Sequence, residues 1–193
     1  MRIKIKYILV LSLLGLLMLI SGCDKTEPQT DVMKDKIKDE KVTSNINNVD
    51  NKKENIIIYF PNENATALVP EVRNIKSGSN DVLIDALNDL LTGTKQNGSV
   101  NIIPKGTKLY GLEVKNKIAY VNFSKEFVKN FNGGSTGEIF LVGSIVNTLT
   151  EFPQVTSVVF MVDGKPIDTI AGHMDLTEPV KRMDNIINHI EII

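Results

Sequence analysis

The chain has 193 residues, with 22 Lys plus Arg against 23 Asp plus Glu, 42% hydrophobic residues, one cysteine and no tryptophan. That size and composition suit one ordinary globular domain. The balanced charge argues against a protein that coats nucleic acid, and a single cysteine excludes an internal disulfide and a Cys-rich zinc or iron–sulfur site.

The N-terminus carries Arg2, Lys4 and Lys6 and no acid, and residues 8–20 form an uncharged, almost wholly apolar run. A bilayer span needs about 20 such residues, so the pattern reads as a secretory signal peptide over 1–22. Ile20-Ser21-Gly22-Cys23 resembles the bacterial lipobox. That resemblance implies cleavage before Cys23 and acylation of its thiol, anchoring the chain in membrane lipid on the extracytoplasmic face. Each buried CH₂ contributes about 0.8 kcal/mol, so two or more chains hold stably. The alternative is a plain signal peptide followed by a chance cysteine. Beyond the cut, 19 bases face 23 acids, so attraction to anionic lipid is not the anchor. Lysine outnumbers arginine 19 to 3. With abundant Ile and Asn, this points to an AT-rich genome.

Residues 24–54 are a different material: fifteen of 31 are charged, none is aromatic, and the few apolar residues are scattered. Such a segment cannot offset its ordering entropy, so 23–54 is expected to be a lipid-anchored disordered tether with a reach of about 30 Å. A solvated helix near 32–42 is the alternative. The pattern tightens at Asn55. The apolar, β-branched run 56–60 ends at Pro61 and reads as a buried strand, with a weaker extended segment over 69–76. Ser79 or Asn80 can cap a helix over 81–91, where Val82, Leu83, Ala86, Leu87, Leu90 and Leu91 recur at helical spacing. Residues 108–114 and 117–123 form a predicted hairpin around Lys115-Asn116. Ile118, Tyr120 and Asn122 face one side, and Ala119, Val121 and Phe123 the other.

A short helix over 124–131 and a longer one over 136–151 follow. The second is opened by Ser135 and Glu138 at capping-box spacing and is apolar nearly all round, hence central. Residues 155–162 read as a strand covered on both faces, and 165–171 as a final strand after the Asp163-Gly164 turn. The Ile-rich tail 184–193 fits a last helix, an edge strand or a partner contact. The order of elements predicts an α+β fold: a single compact domain over 55–183 with a mixed β-sheet packed against helices.

The search for chemistry gives little. Gly133-Gly134-Ser135-Thr136-Gly137 fits the G-x-S-x-G nucleophile elbow, and Asp163 or Asp168 and then His173 follow in hydrolase order. The elbow needs a strand before it, however, and Ser135 has a simpler use as a helix cap. The only histidines are His173 and His189, with no metal-ligand spacing, and His173 with Asp175 reads as loop chemistry. No nucleotide-binding glycine motif occurs. Asp85 and Asp89 fall on a solvated helix face, while Arg73 and Arg182 read as ion-pair or loop-pinning residues. No catalytic, cofactor or metal residue is predicted, and no cofactor is expected.

The landmarks form an ordered set: Ile57-Ile58-Tyr59-Phe60, Leu68-Val69-Pro70-Glu71-Val72-Arg73, residues 86–93, Ile103-Pro104-Lys105-Gly106-Thr107 and Ala119-Tyr120-Val121-Asn122-Phe123-Ser124. The strongest stretch is 144–164, and Gly172-His173-Met174-Asp175 through Arg182 closes the set. Over about 55–182 the chain is similar to the GerMN-domain family of sporulation and spore germination proteins. The resemblance implies a fold like the ring-building-motif domains of secretion systems. It also implies a non-enzymatic exported lipoprotein that joins protein partners in an envelope complex during endospore formation. The family's namesake carries two such domains in tandem, whereas this chain has one behind a tether. Such domains occur in other exported lipoproteins, so a ligand- or wall-glycan-binding role unrelated to sporulation is the alternative expectation.

Overall fold

The computed structural model describes residues 53–76 and 82–188, all within the second of the chain's two units, Asn47–Ile193. The expected signal peptide, Cys23, the expected tether up to residue 52, the expected Ser79/Asn80 cap and the tail from His189 onward lie outside the described residues.

Strands β1 (Lys53–Pro61) and β2 (Leu68–Lys76) form an antiparallel ribbon in unbroken register from Lys53↔Lys76 to Pro61↔Leu68. Strand alternation sends Ile56, Ile58 and Phe60 into the core on the same face as Glu71 and Arg73. The other face buries Tyr59 and Leu68 but leaves Val72 62% exposed. β1 starts earlier than the apolar run predicts, inside the expected tether. Its first pairs need only backbone hydrogen bonds, so the exposed Lys53, Glu54 and Asn55 can take part.

Helix α1 (Val82–Leu91) buries Leu83, Ala86, Leu87 and Leu90, the stripe that its spacing predicts. It ends at Gly93, where φ is +89°. A Cβ there would collide with the Asn101 side chain. Strands β3 (Leu109–Lys115) and β4 (Ile118–Phe123) close through Asn116-Lys117, one residue later than the expected Lys115-Asn116 turn; both are at positive φ, as a two-residue hairpin of this hand requires.

Helices α2 (Glu126–Lys129) and α3 (Ser135–Leu149) carry the chain over to β5 (Ser157–Val162), which runs parallel to β4. The order in this sheet is β3-β4-β5, with β6 (Lys165–Pro166) and β7 (Val180–Lys181) each pairing with β5. Every α3 residue from Leu141 to Leu149 is buried, which makes it the central helix. Ala119, Val121, Phe123, Val158 and Phe160 share its core cluster, and Phe127 stacks on Phe123 at 4.4 Å and on Phe160 at 6.2 Å. The fold is therefore α+β, with mixed strands packed against helices, as expected.

Two local expectations fail here. β5 is covered on one face only: Val159 and Met161 lie beside Tyr120 and Asn122 on the far side and stay partly exposed. The predicted strand over 165–171 stops after two residues. In the tail, a 3₁₀ turn (Asp184–Ile186) leads to a single bridge between Ile187 and Leu68. Ile186 packs on the Tyr59–Leu68–Phe140 cluster. Up to Asn188 the tail thus docks on its own domain.

Candidate functional site

The polar residues that sequence reasoning singled out sit mostly at three pins, where a buried or half-buried charge ties down a distant stretch of backbone.

The first pin is Glu138. Its spacing from Ser135 predicts a capping box, but no side-chain cap bond forms: Gly134 is the N-cap, and Ser135 is an exposed first-turn residue. Glu138 instead turns inward and is fully buried. Its Oε1 accepts hydrogen bonds from Thr169 Oγ1 (2.8 Å), Ile170 N (2.9 Å) and Ala171 N (3.1 Å), and Oε2 accepts one from His173 N (3.0 Å). Burial pushes this carboxyl up, but the donors of Ala171, Ile170, Thr169 and His173 outweigh it and hold the group below its ordinary value. Ile167 N still bonds the Phe160 carbonyl at 3.1 Å, but from Ile170 on the amides that a sheet partner would have bonded are taken by this carboxylate, so pairing does not run on to 171.

The second pin joins β2 to the end of α1. Arg73, 4% exposed, donates from Nε to Glu71 Oε1 (2.7 Å), from Nη1 to Asp89 (3.2 Å) and from Nη2 to the Gly93 carbonyl (2.7 Å). Glu71 also accepts from Thr94 Oγ1 and Lys95 N. Burial raises the Glu71 carboxyl, and its bonds to Arg73, Thr94 and Lys95 bring it below the usual range. Asp89, expected on a solvated helix face, is part of this network, and Asp85 remains at the rim of a shallow cleft. The third pin is Arg182. It donates from Nη2 to Tyr59 Oη (3.0 Å) and pairs with Glu151 (2.8 Å) and Asp184 (2.7 Å). Tyr59 in turn donates to Glu151 Oε1 at 2.6 Å. Burial raises the Tyr59 phenol, and the Glu151 bond raises it further against Arg182.

The hydrolase pattern is not assembled. Coil and α2, not a strand, precede Ser135. Asp163 is a turn residue at positive φ, and Asp168 is exposed and accepts Leu176 N through its carbonyl. His173 meets Glu138 through its backbone amide, not its ring. Asp175 caps its own loop by accepting from Thr177 N and Oγ1, which hold its carboxyl low. Among the described residues no group of three or more His, Cys, Asp or Glu could hold a metal ion. His189 and Cys23 lie outside those residues.

Two clefts remain. One, of about 360 Å³, is lined by Asn74, Asp85, Asn88 and Asp89; the other, of about 270 Å³, by Asn101, Lys105, Asn130, Phe131 and Asn132. Sequence reasoning passed over the second because three amides and an aromatic ring meet there from loops far apart in the chain.

A mixed sheet wrapped on a buried helix, with its buried charges bonded to its own backbone, defines a small α+β domain. A family model described as Germane, sporulation and spore germination, matches residues 57–168, more than half of the chain. The chain belongs to that family. Its structure is similar to the tandem GerMN domains of the sporulation protein GerM from Bacillus subtilis, at 25% identity and a TM-score of 0.58. That match covers 76% of this chain and 51% of the other, so the chain spans about half the length of that structure. The first GerMN domain of the same protein matches in fold at 20% identity and a TM-score of 0.58, covering 67% of this chain and 98% of that one. No curated protein matches significantly.

Proposed function

We propose that this protein is a non-enzymatic lipoprotein, anchored through acylated Cys23 on the extracytoplasmic face of the cell membrane. A tether over 23–54 presents one GerMN domain as an assembly component of an envelope complex in sporulation and spore germination. Membership of the Germane family carries the sporulation part of this reading. The lipobox-like Ile20-Ser21-Gly22-Cys23 supports the anchor. The scaffold role draws support from the three pins, whose charged groups are bonded to the chain's own atoms.

The test is metabolic labelling with a palmitate analogue in a host that processes lipoproteins. The parent chain should carry label and sediment with membranes, and Cys23→Ala should lose both. A parent chain that is unlabelled and soluble would sink the anchor. Detergent pull-down from sporulating cells should recover other envelope proteins. Recovery of wall fragments alone would favour the second reading, a glycan- or ligand-binding lipoprotein. The polar cleft lined by Asn101, Lys105, Asn130 and Asn132 favours that reading, since a concave polar surface suits a small polar ligand.

A further inference from the structure

Among the described residues, the five-stranded sheet leaves one long edge unpartnered. β6 and β7 occupy the two ends of the outer side of β5. The ribbon's β2 edge contains Pro70, which has no N–H to donate, and carries the Leu68–Ile187 bridge. β3 pairs only with β4 and contains no proline, so its outward groups form an open template.

The register of the hairpin says which groups those are. Lys115 and Ile118 flank a two-residue loop and form its closing hydrogen-bonded pair. Glu113 and Lys115 therefore direct their backbone groups to β4, and Leu112 and Val114 direct theirs outward. The register shifts between Leu109 and Gly111, so a bulge at Tyr110 bends the strand there and leaves that ring 58% exposed. The usable edge is the stretch from Leu112 to the turn. Glu113 and Lys115 project from the face away from the helices, pair with each other at 2.8 Å, and keep 64% and 61% of their side-chain surface exposed.

A second β3 laid antiparallel can use this edge in only a few registers. With Val114 opposite Val114, each Glu113 faces the other copy's Lys115 in a non-hydrogen-bonded pair, where cross-strand side chains are closest. One step in one direction sets Glu113 against Glu113; one step in the other sets Lys115 against Lys115. A register centred on Leu112 avoids both clashes but runs through the bulge at Tyr110. Charge and strand geometry thus select the same arrangement.

We propose that β3 pairs antiparallel with β3 of a second copy of this chain, with Val114 on the two-fold axis and a Glu113–Lys115 pair on each side. The closed two-fold contact extends the sheet across both copies. So short a ladder is weak in dilute solution. In the cell it rests on the anchoring reading above, because tethering to one membrane raises the effective concentration of the partner edge.

The test uses the full chain in a lipoprotein-processing host, with Val114→Cys as reporter and the exposed Lys129→Cys as control. Mild oxidation should link Val114→Cys into a dimer, because a hydrogen-bonded antiparallel pair sets its Cα atoms about 5.5 Å apart, within disulfide reach. The control and the parent, with Cys23 alone, should not link. Adding Glu113→Lys or Lys115→Glu should weaken pairing roughly tenfold; adding both together should restore it. Linking at Val114 no greater than at Lys129, or linking indifferent to the charge reversals, overturns the proposal. If the parent is captured with other envelope proteins while Val114→Cys stays monomeric, self-pairing fails and the assembly reading survives. If charge-sensitive linking persists in a Cys23→Ala background at high concentration, self-pairing holds whatever becomes of the anchor.

Discussion

Replacing Glu138 by glutamine isolates one carboxylate that organises a remote loop. The side chain keeps its size and one oxygen, which can still accept from Thr169, Ile170 and Ala171. The new amide nitrogen then confronts His173 N–H, donor against donor, where Oε2 had accepted at 3.0 Å. A charge-assisted hydrogen bond contributes about 1.5–3 kcal/mol, and a buried donor left without a partner costs about 1–3 kcal/mol. Allowing for partial relaxation of the loop, we expect a loss of about 2–4 kcal/mol at pH 7, read as a lower urea midpoint at unchanged slope. The pH dependence carries a sign. The folded Glu138 carboxyl lies below its unfolded value, so its contribution is complete above the unfolded pKa of about 4.3 and is lost as pH falls through the lower folded value. The gap between parent and variant should therefore be flat from pH 7 to about pH 5 and narrow below that. Hydrogen exchange should quicken at Ile170, Ala171 and His173 before it does in α3. A variant as stable as the parent at pH 7, or a gap that persists undiminished in acid, would refute the assignment of Glu138 as the loop's anchor.

Other expectations follow from the same contacts. Ser135→Ala should change stability by less than about 0.5 kcal/mol, since Ser135 is exposed and makes no cap bond; a loss near 1 kcal/mol would restore the capping box. Arg73→Met should cost about 3–5 kcal/mol in a denaturant melt, because Glu71 and Asp89 lose their shared cation while Glu71 stays buried. Gly143→Ala should push on the C-terminal turn, since a Cβ there would lie 2.5 Å from Ile186 Cδ1 and 3.2 Å from Leu68 Cδ1. It should cost about 1–3 kcal/mol and speed exchange at Asn188, whose N–H bonds the Leu68 carbonyl at 2.7 Å.

Most of the framework was legible because it rests on local signals. The α1 stripe, the existence of the β3–β4 hairpin and the all-round apolar α3 each follow from spacing and residue type within one segment, although the turn sits one residue beyond the expected Lys115-Asn116. The larger errors share a cause: each concerned a group whose partner is far away in sequence. Glu138 sits three residues after a serine, and local rules make it a cap. Only the fold brings residues 169–173 within reach of its carboxylate. The strand expected over 165–171 failed for the same reason. Asp89 looked solvated because nothing in its helix announces Arg73, sixteen residues earlier. The run at 158–162 looked doubly covered because consecutive apolar residues cannot say which face lacks a helix.

The three pins also bear on why a chain with one cysteine holds its loops in place. Each pin ties an irregular segment to a regular element: 169–173 to α3, 93–95 to β2, and 182–184 to β1 and α3. A disulfide would fix two such points covalently; here a planar guanidinium or a carboxylate does so by satisfying several backbone or side-chain groups at once. Charges committed in this way cannot also serve an external partner without releasing the segment they hold. Recognition must then fall to groups the fold does not consume. Those are the outward backbone of β3 and the half-exposed sheet face around Tyr120, Val159 and Met161. Of these, the β3 edge alone carries hydrogen-bonding groups in a fixed repeat together with charges of both signs at matching positions. It is the surface on which a short stretch of sequence, Leu112 to Lys115, can specify both a partner and a register.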